Sequence, residues 1–429
     1  MFGALKHRNF RLFFFGQSIS LIGTWMQQVA MVWLVYRLSN SEFLLGLIGF
    51  CSQVPILFLA PVAGVFTDRW NRHRTIIATQ SLAMLQAVIL VVLTWTGLIN
   101  VPYLIVLSIF MGLINAFDMP ARQAFLIQMV QGRENLANAI GLNSSMFNGA
   151  RLVGPAIAGV LVATAGESCC FLLNALSYVA VLGALLAMRI TPQASTGTPQ
   201  HVLRELRDGI RYAFGFPPIR VLLLLLALVS LAAMPLTVLM PVFATKVLGG
   251  GPRLLGALTA AIGIGALVGA LLMAYRRTVL GLGRQIAWAS GVFGLGLVAF
   301  SFSRSLWISF PILAVLGFAM MLAIAASNTV LQTIVDDDKR GRVMSFYTVA
   351  LLGTAPLGSL LAGSLASYFG AITTVQVAGV VCVLGAVGFA RQLPAIRELI
   401  RPIYRRIGIL PDVTTAISPA VEYTVSEVK

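Results

Sequence analysis

The sequence predicts an all-α membrane protein of twelve transmembrane helices in two six-helix halves, on three observations. Of 429 residues, 58% are hydrophobic and only 10% charged, against about 25% charged in soluble domains. The chain divides into apolar runs close to the ~20 residues that cross a bilayer as a helix. Lys and Arg collect on alternate connections between those runs, as loops retained in the cytoplasm do. Together these exclude a soluble enzyme, a disordered chain and a single-span receptor.

The runs are bounded by charge. The first, 12–36, lies between Arg11 and Arg37. It is too long for a cleavable signal and has no small-residue cleavage site. The second (44–66) and third (75–97) flank Arg69, Arg72 and Arg74. The fourth (101–123) and fifth (138–163) flank Arg133, and the sixth (168–188) stops at Arg189. The seventh (219–246) runs from Arg220 to Lys246, and the eighth (254–275) from Arg253 to Arg276. The ninth (285–303) and tenth (306–332) flank Arg304. The eleventh (343–368) follows Lys339, Arg340 and Arg342, and the twelfth (371–390) ends at Arg391. On this division 24 of the 30 Lys and Arg lie on the side of the N-terminus, four (Arg37, Lys246, Arg253, Arg304) on the other, and Arg122 and Arg151 within spans. Both termini are therefore expected in the cytoplasm. The formal charge of +16 sits in short clusters without interleaved aromatics, which argues against a nucleic-acid partner.

Four segments are expected: an N-terminal half (1–190), a cytoplasmic linker (191–218), a C-terminal half (219–391) and a cytoplasmic tail (392–429). In the linker, His201 to Phe214 reads as an amphipathic helix with Val202, Leu206, Ile210 and Phe214 on one side. The halves show faint self-similarity. Leu44-Leu45-Gly46 recurs 210 residues on as Leu254-Leu255-Gly256, Arg11 matches Arg220, Val130 matches Val335, and Gly166 matches Gly370 204 residues on. A near-constant offset suits two parallel repeats with a site between them.

After the second run the chain reads Gly64-Val-Phe-Thr-Asp68-Arg69-Trp-Asn71-Arg72-His73-Arg74. Gly64 permits close helix approach, Asp68 sets an anion at the membrane surface, and three Arg face the cytoplasm. The stretch resembles the loop 2–3 signature of the major facilitator superfamily, glycine-x-leucine-alanine-aspartate-arginine-x-glycine-arginine-arginine. Phe66, Thr67 and Asn71 depart from it, and Asn71 is expected to keep the turn through a left-handed backbone. In the fifth run, Gly141, Gly154-Pro155 and Gly159 resemble the glycine-rich motif C of the superfamily's exporters, with Ala150 and Ala158 replacing two glycines. Small residues there allow tight packing and Pro155 a bend. Asn115-Ala-Phe-Asp118-Met-Pro120-Ala-Arg122-Gln123-Ala, Leu136-Ala-Asn138-Ala and Arg340-Gly-Arg342-Val-Met-Ser345 are similar to the branch of the enterobactin exporter and macrolide-efflux proteins. The resemblance covers residues 5–390. Ser108 stands where many proton-coupled drug exporters carry a fourth-span arginine, which puts the usual proton relay in doubt.

Charges at membrane depth are costly and mark function. Asp118 and Arg122, spaced i,i+4, read either as a helix-surface ion pair or as the coupling site. Arg151 lies about 13 residues, ~20 Å, into its span and should face water or a carboxylate. Gln17, Ser20, Thr24 and Gln27, with Gln28, fall on one helix face, suited to a polar cargo or to gluing helices together. Asn328 and Gln332 form a similar pair in the tenth run. The three His (His7, His73, His201) and four Cys have no metal-ligand spacing, and Gly249-Gly250-Gly251 has no phosphate-loop lysine. No cofactor, metal site or ATP hydrolysis is expected, and the chain is not read as an enzyme.

The resemblance implies a monomeric secondary transporter of the bacterial inner membrane, surrounded by lipid, that exports a small molecule by alternating access with a proton as the expected coupling ion. It points to a siderophore or an amphiphilic drug, and Arg151 favours an anionic group such as a catecholate. Asp68, with Gly64, Arg69, Arg72 and Arg74, is expected to close a cytoplasmic gate against the start of the eleventh span near Val343 to Ser345. The rival readings are a lysophospholipid-type flippase, a membrane-embedded enzyme, and a non-transporting receptor.

Overall fold

Side chains at the ends of the apolar runs fix where helices begin. Ser41 accepts the Leu44 N–H at 3.3 Å, Asn71 the Arg74 N–H at 3.2 Å, and Asn100 the Tyr103 N–H at 3.1 Å, each replacing an acceptor that the first turn lacks. Prolines sit in the first turn at Pro102, Pro218 and Pro252, where no amide donor is needed. The computed structural model describes residues 3–130, 133–189, 211–276, 278–336 and 339–410.

Among these, twelve helices are long and apolar enough to cross a membrane. They are α1 (Arg8–Ser39), α2 (Glu42–Arg69), α3 (Arg72–Trp95), α4 (Val101–Gln128), α5 (Arg133–Ala165) and α6 (Glu167–Leu186). The second six are α7 (Pro217–Val247), α8 (Pro252–Tyr275), α9 (Leu282–Phe302), α10 (Leu306–Ile334), α11 (Arg340–Phe369) and α12 (Ala371–Arg406). α7 ends in a π-turn at Phe243–Val247 and α11 contains one at Val349–Gly353.

The structure differs from two expectations. Asn71 is extended (φ −68°, ψ 106°) rather than left-handed, because its side chain is committed to capping α3. The chain beyond residue 391 is helical to Arg406, where a tail was expected. Leu393, Ile396 and Ile400 recur at helical spacing and are buried, Leu393 against Gly283 at the start of α9, while Arg406 pairs with Asp336 at 2.9 Å. The expected linker helix lies outside the described residues up to 210. From Arg211 the chain is helical, and the Tyr212 hydroxyl bonds Asp336 at 3.4 Å.

The two halves pack alike. α1 rests on α5 and α6, α2 on α4, and α3 on α4 and α6. In the second half α7 rests on α11 and α12, α8 on α10, and α9 on α10 and α12. Local geometry repeats with them. Gly166 (φ 80°) and Gly370 (φ 82°) open α6 and α12 in a conformation that favours glycine. Gly154 backs onto Trp25 as Gly358, 204 residues on, backs onto Met234, 209 residues beyond Trp25.

The halves meet through α2 on α11 and α5 on α8. Both seams are tightest at the end of the bundle away from the termini, here called distal. A Cβ on Gly46 would lie 2.7 Å from the Gly363 Cα, and one on Gly159 would lie 2.8 Å from the Gly256 Cα. These crossings correspond under the repeat, Gly46 to Gly256 and Gly159 to Gly363. Overpacking typically costs about 1–3 kcal/mol, a shift of about 5–150-fold in a two-state equilibrium. Gly363→Val is therefore expected to part the halves distally. Spin labels at Leu38 and Arg253, in a cysteine-free background, should report a longer separation than without the substitution, and an unchanged distance distribution would contradict the account.

Candidate functional site

Arg151 stands at a seam. Its carbonyl side backs onto α8, where a Cβ on Gly263 would lie 3.2 Å from the Arg151 oxygen. Its guanidinium carbon lies 5.7 Å from the centroid of the Trp25 ring on α1. Trp25 meets Phe147, one turn before Arg151, edge to face at 5.8 Å. On α5 the exposed Val153, Ile157 and Val160 mark the lipid side. At 100° per residue, Phe147 and Arg151 lie on the far side, in the angle between the stripes that touch α1 (Gly154) and α8 (Pro155, Gly159). No carboxylate pairs with Arg151 among the described residues. The repeat sharpens the point: the positions of Trp25 and Arg151 are taken in the second half by Met234 and Ala355. Gln28, exposed one turn from Trp25, adds an uncharged donor and acceptor to the α1 surface.

The polar face of α1 turns into the N-terminal half instead. Gln17 and Ser20 are each 1% exposed, and Thr24 bonds its own helix at the Ser20 carbonyl. Gln27 donates to Gln86 Oε1 at 2.9 Å and accepts from Asn174 Nδ2 at 2.7 Å. Gln86 donates to the Leu107 carbonyl at 3.5 Å and Ser177 to Asn174 Oδ1 at 3.1 Å. This chain of amides ties α1, α3, α4 and α6 together.

Asp118 is also interior, 1% exposed. Its Oδ1 accepts from Thr79 Oγ1 at 2.7 Å and Gln80 Nε2 at 2.8 Å on α3, and its Oδ2 pairs with Arg122 Nη2. Asn328 accepts from Gln332 Nε2 at 2.7 Å on α10, and no described contact joins that pair to Arg151. Of the export-type residues, Gly154, Pro155 and Gly159 form the α1 and α8 contacts, whereas Gly141 is exposed with nothing near its Cα face. For Gly64, Asp68 and Arg69, at the end of α2, the description stops at the backbone. Beside them Trp70 stacks on Phe117 of α4 (6.4 Å), His73 bonds the Leu185 carbonyl of α6 at 2.9 Å, and Arg74 is exposed.

One element escaped sequence reasoning. At the distal end Lys246 of α7 pairs with Glu42 of α2 at 2.8 Å and lies 5.9 Å from the Tyr36 ring, while Thr245 Oγ1 meets the Tyr36 hydroxyl at 3.4 Å. This is the inter-half ion pair among the described residues. The signal was present in the charge count: Lys246 is one of only four cations assigned to that side.

Twelve spanning helices in two six-helix halves related by a repeat are the architecture of a membrane transporter of the major facilitator type. The chain belongs to the transmembrane secretion effector family, whose model matches residues 1–403. It is 28% identical to the staphyloferrin A transporter of Staphylococcus aureus over 372 residues, 86% of this chain and 92% of that one. It is also 28% identical over 400 residues to the multidrug efflux pump Tap of Mycobacterium tuberculosis, covering 90% and 94%. A bacterial homologue of the human lysosomal transporter Spinster, solved inward-facing and unoccupied, superposes with a TM-score of 0.68 at 16% identity, covering 93% of this chain and 98% of that one.

Leaving a buried amide unpartnered costs about 1–3 kcal/mol. Gln27→Leu orphans both Gln86 and Asn174, so it should lower the thermal unfolding temperature of the purified protein clearly more than Gln28→Leu at the exposed neighbour. Equal effects would sink the assignment of Gln27 to the helix-tying network.

Proposed function

We propose that the protein exports a small anionic amphiphile, of the siderophore kind, across the bacterial inner membrane by alternating access of its two halves. The observation that supports this most is Arg151. A guanidinium does not lose its proton, and Arg151, half-buried beside the Trp25 ring, has no acid partner among the described residues. A carboxylate or catecholate cargo would compensate it, and the Trp25 and Phe147 rings beside it suit a planar apolar portion. The staphyloferrin A transporter, a relative along most of its length, is named for a siderophore. A second reading, an amphiphilic drug, is favoured by the same aromatic pair and by the relative named as a multidrug pump.

On this reading both termini are cytoplasmic, so the distal end faces outward. The glycine crossings with Glu42 and Lys246 then form the closed outer gate. Asp68, Arg69, Arg72 and Arg74 belong to the inner one. Asp118 and Arg122 are the proposed coupling pair, in which proton uptake would release Arg122 from the carboxylate.

Two outcomes test this. Charge-assisted hydrogen bonds contribute about 1.5–3 kcal/mol, so Arg151→Gln should weaken binding of an anionic siderophore about 10- to 150-fold in nanodiscs and a neutralised analogue much less. Equal losses would reduce Arg151 to a structural residue and favour the drug. In proteoliposomes, Asp118→Asn should abolish the response of cargo flux to a pH gradient. A mutant that still follows the gradient would place the proton elsewhere or identify another coupling ion.

A further inference from the structure

The second half serves as an internal control for the interior of the first. Gln17, Ser20, Gln80, Asp118, Arg122 and Tyr178 correspond under the repeat offsets to Leu226, Val229, Ala289, Ala323, Ser327 and Cys382. The correspondence is structural: Ala289 of α9 and Ala323 of α10 belong to one buried apolar cluster with Leu322, where Gln80 and Asp118 meet across α3 and α4. Cys382 bonds the Ser290 carbonyl at 3.5 Å from the place that Tyr178 holds. The same helix packing therefore forms with no carboxylate and no cation at these positions, so the charged layer is not a requirement of the fold.

That layer is incompletely satisfied. Gln17 Oε1, Gln80 Oε1 and Arg122 Nε are buried without a hydrogen-bond partner. Gln80 and Arg122 each bind Asp118 through their other end, so both orphaned atoms lie at the edge of its carboxylate. The rings of Phe13 and Phe125 meet at 6.3 Å. One turn along α1 from Phe13, and one turn back along antiparallel α4 from Phe125, brings Gln17 level with Ala121 and Arg122. The orphans comprise one N–H donor and two carbonyl acceptors. A water molecule, accepting once and donating twice, completes all three. A metal cation does not, because the Arg122 Nε–H can only donate and the guanidinium is itself a cation.

We propose that Gln17, Gln80 and Arg122 hold an internal water beside Asp118, and that this water is the route by which protons reach a carboxylate enclosed by protein. The second clause rests on the coupling role proposed for Asp118; the first does not. The Arg122 side chain is 25% exposed, so the site can exchange with solvent beside it. A proton arriving as hydronium turns an O–H from Gln80 to the neighbouring Asp118 carboxylate and transfers there. This leaves neutral water and a carboxylic acid whose pair with Arg122 is broken, and the reverse transfer to water re-forms the carboxylate. The groups bonded to Asp118 are Arg122 on its own helix and Thr79 and Gln80 from α3. Tyr178 of α6 is the neighbouring titratable side chain, and Gln17 of α1 lies at the Arg122 level. α2 touches α4 farther along, through Ser52 and Pro55 at Gly112.

The test is infrared difference spectroscopy of the full chain reconstituted in lipid, between acidic and alkaline buffer. A protonated-carboxyl band absent in Asp118→Asn is expected, with a water O–H band that shifts in oxygen-18 water. Gln17→Leu, which copies the second half, and the equal-length Gln80→Met should each abolish the water band and shift the carboxyl titration. Melting temperatures establish that both variants are folded. Persistence of the water band in both folded variants overturns the site, as does a band shift when sodium chloride replaces choline chloride. Should the bands behave as expected while Asp118→Asn still follows a pH gradient, the water site stands and the coupling role falls. If the bands are missing while Asp118 is required for gradient-driven flux, the coupling role stands and the water site falls.

Discussion

At Gly46 against Gly363, and at Gly159 against Gly256, the two halves approach until backbone meets backbone. Helices in lipid gain nothing from hiding apolar surface from one another, so their association rests on shape and van der Waals contact, and small residues determine how close they come. Gly49 continues the first seam, where a Cβ would lie 3.0 Å from the Ser359 Cβ, and Gly263 the second, where one would lie 3.0 Å from the Leu152 Cα. The Glu42 and Lys246 ion pair adds little, since the Lys246 side chain is 54% exposed and such pairs contribute about 0–1 kcal/mol. Distal closure is thus a matter of fit. A seam held mainly by fit can part without stranding buried charge at its distal end.

The two halves share a fold, so their differences carry the chemistry. Arg151 has Ala355 as its counterpart, Trp25 has Met234, and Asp118 has Ala323. The second half shows that the helices pack without these groups. The first half carries a cation in the seam and a carboxylate in its interior, each at a cost that packing does not explain. The carboxylate is screened by Thr79, Gln80 and Arg122, whereas the seam cation has no acid partner.

Twelve helices and their order were legible because each apolar run is long and each boundary is charged. The repeat was legible only faintly, since Leu-Leu-Gly and a lone Gly recur by chance. Its meaning appeared when Gly46 and Gly256 were seen at equivalent crossings. The extension of α12 was missed because Arg391 was read as the end of the twelfth run, although Leu393, Ile396 and Ile400 held to helical spacing. Arg151 stood out by its depth in the sequence, and the structure places its backbone against α8. The direction of the α1 polar face was not legible: spacing gives a common face but not what it looks onto, and Gln27 faces Gln86 and Asn174. Asn71 was misread because a turn asparagine can adopt a left-handed backbone or cap a helix, and only the following N–H decides.

Keeping Asp118 and Arg151 apart has a mechanical consequence. Were they paired, each would neutralise the other and the seam would present no net charge. The Gln27 network fixes α1 to α3, α4 and α6, while Gly154 fixes α5 to α1 through Trp25. Arg151 is therefore fixed to the N-terminal half, and Asp118 is enclosed within that half. The rocking proposed above would change what Arg151 faces, because α8 belongs to the other half, and would leave the partners of Asp118 as they are. Within the N-terminal half α1 joins the two sites, since it carries both the Trp25 beside Arg151 and the Gln17 level with Arg122.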